Sequence, residues 1–123
     1  MLKVHIKKSG NLSVLCVQGR IVRGETDALR NAVLSELNGN AVVLDFGRVS
    51  TIDAGGLGVM LELREHIVSQ GIEFRLRNVT KPVRQVLEIT RLDSVFDISA
   101  ESELVQTAFA GPRPTPLRAA ACA

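Results

Sequence analysis

The chain has 123 residues, 46% hydrophobic and 23% charged, which is enough apolar content to bury one core and too much for a disordered polymer. A net charge of +2, no Trp or Tyr and only four Phe leave little for stacking on bases or sugars, so nucleic-acid binding is not expected. Two cysteines, Cys16 and Cys122, are too few for a disulfide framework, and no run of about 20 apolar residues is present to span a bilayer.

Val4 and Ile6 alternate with Lys3, His5 and Lys7 as in a half-exposed strand. The lysines also interrupt any signal-peptide core, so a cytoplasmic protein with no direct membrane insertion is expected. Ser9-Gly10-Asn11 turns the chain into a second strand, Leu12 to Gln18, with Cys16 as a small core hydrophobe; the two strands form an antiparallel hairpin. Thr26 stands where it caps a helix running to about Asn38, with Leu29, Val33 and Leu37 four apart and Gly39 as its stop. Ala41 to Phe46 is a short apolar run of the kind that forms a strand covered on both faces. A helix follows from Ala54 to Gln70, ended by Gly71, and then a strand from Ile72 to Arg77 in which Phe74 and Leu76 alternate with charged residues. Thr80 caps a short helix, Lys81 to Ile89, with Pro82 in its first turn. Val95 to Ile98 adds a last strand, Glu101 to Ala110 reads as a closing helix, and Gly111 to Ala123 reads as a flexible Pro/Ala-rich tail. The domain is therefore 1–110 and the tail 111–123. Alternation of strand and helix after a hairpin predicts an α/β fold with a mostly parallel sheet and an antiparallel N-terminal edge.

The most informative stretch is Ala41 to Met60, AVVLDFGRVSTIDAGGLGVM, where a buried strand stops at small residues and restarts as a helix. Asp53 is a candidate N-cap whose carboxylate accepts from N–H groups two or three residues on. Gly55, Gly56 and Gly58 either pack the helix close to the sheet or let another molecule approach its first turn. On the second reading, an Asp placed at Gly56 folds and blocks a partner. Leu57 and Met60 offer apolar contacts, with Leu57 also a core candidate.

At these residues the chain resembles the STAS family, the domain of bacterial anti-sigma factor antagonists that also occurs at the C-termini of sulfate transporters. The family signature, Asp-Ser-Ser/Thr-Gly-Leu-Gly opening a helix, stands here as Asp53-Ala54-Gly55-Gly56-Leu57-Gly58, and the likeness in element order runs from about Leu2 to Ala110. The resemblance implies a non-enzymatic regulator that binds an anti-sigma factor with a kinase-like fold and so frees a sigma factor. In the family the Ser after the Asp is phosphorylated by that partner, and the added charge releases the complex. Here Ala54 occupies the acceptor position and Gly55 the next, so neither hydroxyl is present, and Ser50 and Thr51 are candidate substitutes. The loop that carries an Asp near this site in relatives reads Arg20-Ile21-Val22-Arg23-Gly24, with Val22 at the acid's place. The implied partner surface is thus Arg20, Val22 and Arg23 together with Asp53, Ala54, Gly55, Gly56, Leu57, Gly58 and Met60.

Other chemistry is sparse. His5 and His66 have no Cys or acid at metal-ligand spacing, and no metal site or cofactor is expected. Asp45 is a structural carboxylate inside a strand or at its exposed end, and Ser50, Thr51 and Asp53 lack a general base. The glycine loop matches neither dinucleotide nor P-loop patterns, so nucleotide or small-ligand binding ranks third. Arg75, Arg77, Lys81, Arg84 and Arg91 read as a solvated charged face. The second function class is a STAS scaffold subunit of a signalling or membrane-transport assembly, and a homodimer fits either class.

Overall fold

The computed structural model describes residues 2–99. Its elements are β1 (Lys3–Ser9), β2 (Leu12–Ile21), α1 (Asp27–Leu34), β3 (Ala41–Ile52), α2 (Ala54–Ser69), β4 (Glu73–Arg77), α3 (Lys81–Ile89) and β5 (Asp97–Ser99). The closing helix expected over Glu101 to Ala110 and the tail 111–123 lie outside the described residues.

The five strands form one sheet in the order β1-β2-β3-β4-β5. β1 and β2 pair antiparallel, and every later pair is parallel. Each parallel strand is added on the same side of the last, so right-handed crossovers place successive helices on one face of the sheet. The burial pattern agrees: Leu29 and Val33 of α1, Leu57, Met60, Leu63 and Ile67 of α2, and Val83 and Leu87 of α3 share one cluster with Leu15, Val17, Val42, Leu44, Phe46, Phe74 and Leu76 of the strands. Burying each of these side chains contributes about 1.5–3 kcal/mol, and together they hold the helices to the sheet. The alternate strand residues Leu12, Val14, Cys16 and Val43 form a second, smaller cluster on the opposite face.

Several expectations change. β2 runs on to Ile21, which places Arg20 in a strand instead of a loop. β3 is twice its expected length, because the polar stretch Gly47 to Ile52 keeps pairing with Gln18 to Ile21 beyond the end of β4. In that extension Val49 and Ile52 are buried while Arg48 and Ser50 are exposed, so the pattern is amphipathic instead of uniformly apolar. α1 ends at Leu34, four residues early, because Glu36 turns inward to accept a hydrogen bond from Ser13 Oγ at 3.0 Å and to meet Lys8 Nζ at 3.3 Å. Gly39 is no helix stop. A side chain there would lie 2.6 Å from the Asn11 carbonyl oxygen, which accepts the Asn40 and Ala41 N–H groups.

Thr26 and Thr80 hold the N-cap positions of α1 and α3 without capping through their side chains. Thr80 instead donates its hydroxyl to the Val49 carbonyl at 2.8 Å, tying α3 to the β3 extension. Cys16, expected as an ordinary core hydrophobe, is half-buried in the second cluster and is disulfide-bonded. No helix among the described residues is long and apolar enough to cross a membrane.

Candidate functional site

Asp53 sits where β3 ends and α2 begins, its backbone extended at φ −113° and ψ −176°. One carboxylate oxygen accepts the Gly56 N–H at 2.8 Å, which fills one of the open donors of the first helical turn. The same group accepts the Arg23 N–H at 3.1 Å to each oxygen, so one side chain caps the helix and fastens the β2–α1 loop to it. The Asp53 N–H donates to the Ile21 carbonyl at 3.2 Å, closing the end of β2 against the start of α2. Asp53 is exposed, yet its carboxyl is held below the ordinary value of 3.8, chiefly by the hydrogen bond from Gly56 and next by that from Arg23, with desolvation opposing.

The three glycines have different tasks. At Gly56 a side-chain carbon would stand 2.0 Å from the Ile21 carbonyl oxygen, a backbone atom that cannot move aside. Gly56 is therefore a packing residue, and an Asp there would break the fold before it reported on a partner. At Gly55 the same carbon would meet the Arg23 Cβ at 2.7 Å, so the stem of Arg23 fills the space above this residue. Gly58 is exposed, with nothing within 4 Å.

Of the residues proposed from sequence for partner contact, the structure brings Arg23, Asp53, Ala54 and Gly55 together, and Ala54, Gly58, Arg20 and Arg23 are exposed. Val22 is half-buried beside them, and Arg20 is bonded to Glu25 at 3.3 Å. Leu57 and Met60 are corrected to core: they retain 6% and 1% of their surface and pack beneath the rim. Ser50 is exposed and donates to the Gly19 carbonyl at 3.4 Å, whereas Thr51 is half-buried.

Asp45 is the structural carboxylate inside a strand that the sequence suggested, but its partners escaped that reading. Asp45, in β3, accepts from Arg77 Nε at 3.0 Å, from Asn78 Nδ2 at 3.1 Å and from the Gly47 N–H at 2.9 Å. Asp45 and Arg77 each retain 4% of their surface, so Arg77 belongs to a buried ion pair and not to a solvated face. Arg75 likewise sits between Glu73 and Asp97. Only the strand alternation of a buried Phe74 and Leu76 with Arg77 hinted that this guanidinium faces the sheet's other side. Among the described residues no group of His, Cys, Asp or Glu is placed to hold a metal.

A five-stranded mixed sheet with its helices on one face, and a glycine-rich helix start clamped by a capping Asp, define an α/β domain with an exposed, ordered rim at the start of α2. Comparison makes the class specific: the STAS domain profile matches residues 3–108, and the chain belongs to that family. BtrV of Bordetella bronchiseptica, assigned as an anti-sigma factor antagonist, is 26% identical over 110 residues, covering 88% of this chain and 95% of that one. The anti-sigma-B factor antagonist of Bacillus subtilis is 36% identical over 55 residues, 45% of this chain and 50% of that one. The crystal structure of an anti-sigma factor antagonist from Mycobacterium paratuberculosis shares the fold at a TM-score of 0.73 and 20% identity, covering 86% of this chain and 93% of that one.

Proposed function

We propose that this chain is a non-enzymatic anti-sigma factor antagonist that captures an anti-sigma factor with a kinase-like fold and thereby frees a sigma factor. The observation that carries the reading is the rim at the start of α2, where Ala54 and Gly58 are exposed beside an exposed Arg23 that the Asp53 carboxylate holds in place. A preorganised surface loses little freedom on binding, which favours protein recognition over catalysis here. By resemblance, Ala54 stands at the phosphoacceptor position and Gly55 at the next. The domain then remains in the binding-competent state, with no hydroxyl at the usual place to receive a releasing charge.

The test is calorimetric titration of the purified chain into the kinase-like anti-sigma factors of its own genome. The reading expects one of them to bind at micromolar affinity or better and to exclude its sigma factor. Binding to none, with stable capture of transporter or signalling subunits instead, favours the scaffold class.

A further inference from the structure

The sheet face opposite the helices is more deeply buried than the described elements explain. Val14 and Val43 lie side by side on it, with Lys7 next to Val14 on β1 and Arg75 next to Val43 on β4. They form the second cluster with Leu12 and Cys16, and no helix residue joins it. A valine on a bare sheet face keeps its outward methyl groups in water, because neighbouring strands flank it without roofing it. Yet Val14 retains 0% and Val43 7% of their surface, and Asp45 and Arg77, paired in the next row of the same face, retain 4% each. Burial of this degree calls for a second layer over the sheet. At the margin His5, Gln18 and Arg48 are exposed, so the cover is narrow.

Cys16 points to what the cover is. It is disulfide-bonded, and the only other cysteine in the sequence is Cys122. Ser99, Arg77, Asp45 and Cys16 are lateral partners across four adjacent strands. The described chain therefore ends three strand spacings, about 14 Å, from Cys16. Extended at about 3.3 Å per residue, residues 111–122 alone span about 40 Å, so the chain beyond Ser99 reaches Cys16 with slack. The residues beside Cys122 suit a shallow valine patch: Leu117, Ala119, Ala120 and Ala121 are aliphatic, and the three alanines lose no side-chain freedom on docking.

We propose that residues 111–123 dock on this face, held there by a disulfide between Cys122 and Cys16 of the same chain. The bond closes by exchange with a low-molecular-weight disulfide: one cysteine thiolate attacks it and expels a small thiolate, and the second cysteine attacks the mixed disulfide and expels the other. Two protein thiols lose two protons and two electrons, and the small disulfide becomes two thiols. A dithiol reverses the exchange, ending as its own disulfide, and releases the tail. The dock is independent of the anti-sigma reading, since it lies on the other face of the sheet from α2.

The test starts from an equal mixture of unlabelled and ¹⁵N-labelled full chains, reduced, then oxidised with glutathione disulfide, alkylated and digested with trypsin without reduction. Peptide 9–20 joined to peptide 119–123 is expected, both halves of one isotope, with neither cysteine alkylated. In the oxidised chain labelled at its methyl groups, nuclear Overhauser contacts from Val14 and Val43 to Leu117 or Ala119–Ala121 are expected. They should vanish with a dithiol and in Cys122→Ser, whose substitution in the tail leaves the sheet intact. Joined peptides of mixed isotope would mean that a second copy supplies Cys122, and alkylation of both cysteines would mean that the bond does not form. Either result overturns the dock, as would oxidised chains in which Val14 touches no residue of 111–123 or contacts that persist unchanged after reduction.

Discussion

β3 carries two carboxylates, one within it and one just past its end, and the two are treated in opposite ways. Asp45 is buried, and its stabilisation comes from a countercharge, an amide and one N–H supplied by distant and neighbouring residues. Asp53 is exposed, and its partners are all backbone N–H groups. A buried charge must be neutralised where it stands, so Asp45 ties β3 to β4 and contributes to the scaffold. An exposed carboxylate needs no countercharge, so Asp53 organises a rim while leaving it open. The exposed side chains of the rim can therefore vary without disturbing the sheet.

Breaking the buried system has the largest expected effect. Arg77→Met strands the Asp45 carboxylate and should cost about 3–5 kcal/mol in a urea melt, whereas Asp45→Leu combined with Arg77→Met should recover most of the loss. A single variant within about 0.5 kcal/mol of the parent would show that the pair is not the tie described. Next comes the junction itself: Gly56→Ala drives a methyl group into the Ile21 carbonyl and should destabilise the fold by about 2–3 kcal/mol. Gly58→Asp, two residues on, should leave the urea midpoint unchanged and weaken anti-sigma factor binding about tenfold, roughly 1.4 kcal/mol. Equal stability loss at both glycines would erase the distinction between packing and rim.

The smallest effect is in acid. The Asp53 carboxyl is depressed in the folded protein, so its contribution is fully present above the ordinary value of 3.8 and is lost as pH falls through the folded value. Asp53→Asn still caps but cannot titrate. The difference in melting temperature between the parent and Asp53→Asn should hold steady above that value and shrink below it. A difference that grows on acidification would contradict the assignment.

The parts of the fold that depend on neighbours in sequence were legible. The β1–β2 turn, the Asp53 cap, the end of α2 at Gly71 and the alternation of Phe74 and Leu76 each follow from local periodicity or turn chemistry. What failed depends on residues far apart in the chain. β3 extends past Phe46 because β2 is there to pair with it, and Gly47 to Thr51 carry no apolar run that would announce a strand. Arg77 meets Asp45 across 32 positions, and no spacing rule connects them. The tasks of Gly55 and Gly56 were undecidable locally, since the atoms that crowd them belong to Arg23 and Ile21. Thr80 looked like a cap because Pro82 follows it, but the Val49 carbonyl was the better acceptor for its hydroxyl.

The central claim, a binding-competent antagonist without the usual switch, is tested most directly by sigma-factor release from a preformed complex of sigma factor and anti-sigma factor. The parent chain and Ala54→Ser would be titrated side by side, with and without ATP, and their intact masses measured afterwards. The account predicts equal release by the parent under both conditions with no mass gain, and loss of release by Ala54→Ser in ATP as it acquires one phosphate. A phosphate on the parent at Ser50 or Thr51, with ATP-dependent loss of release, would contradict it.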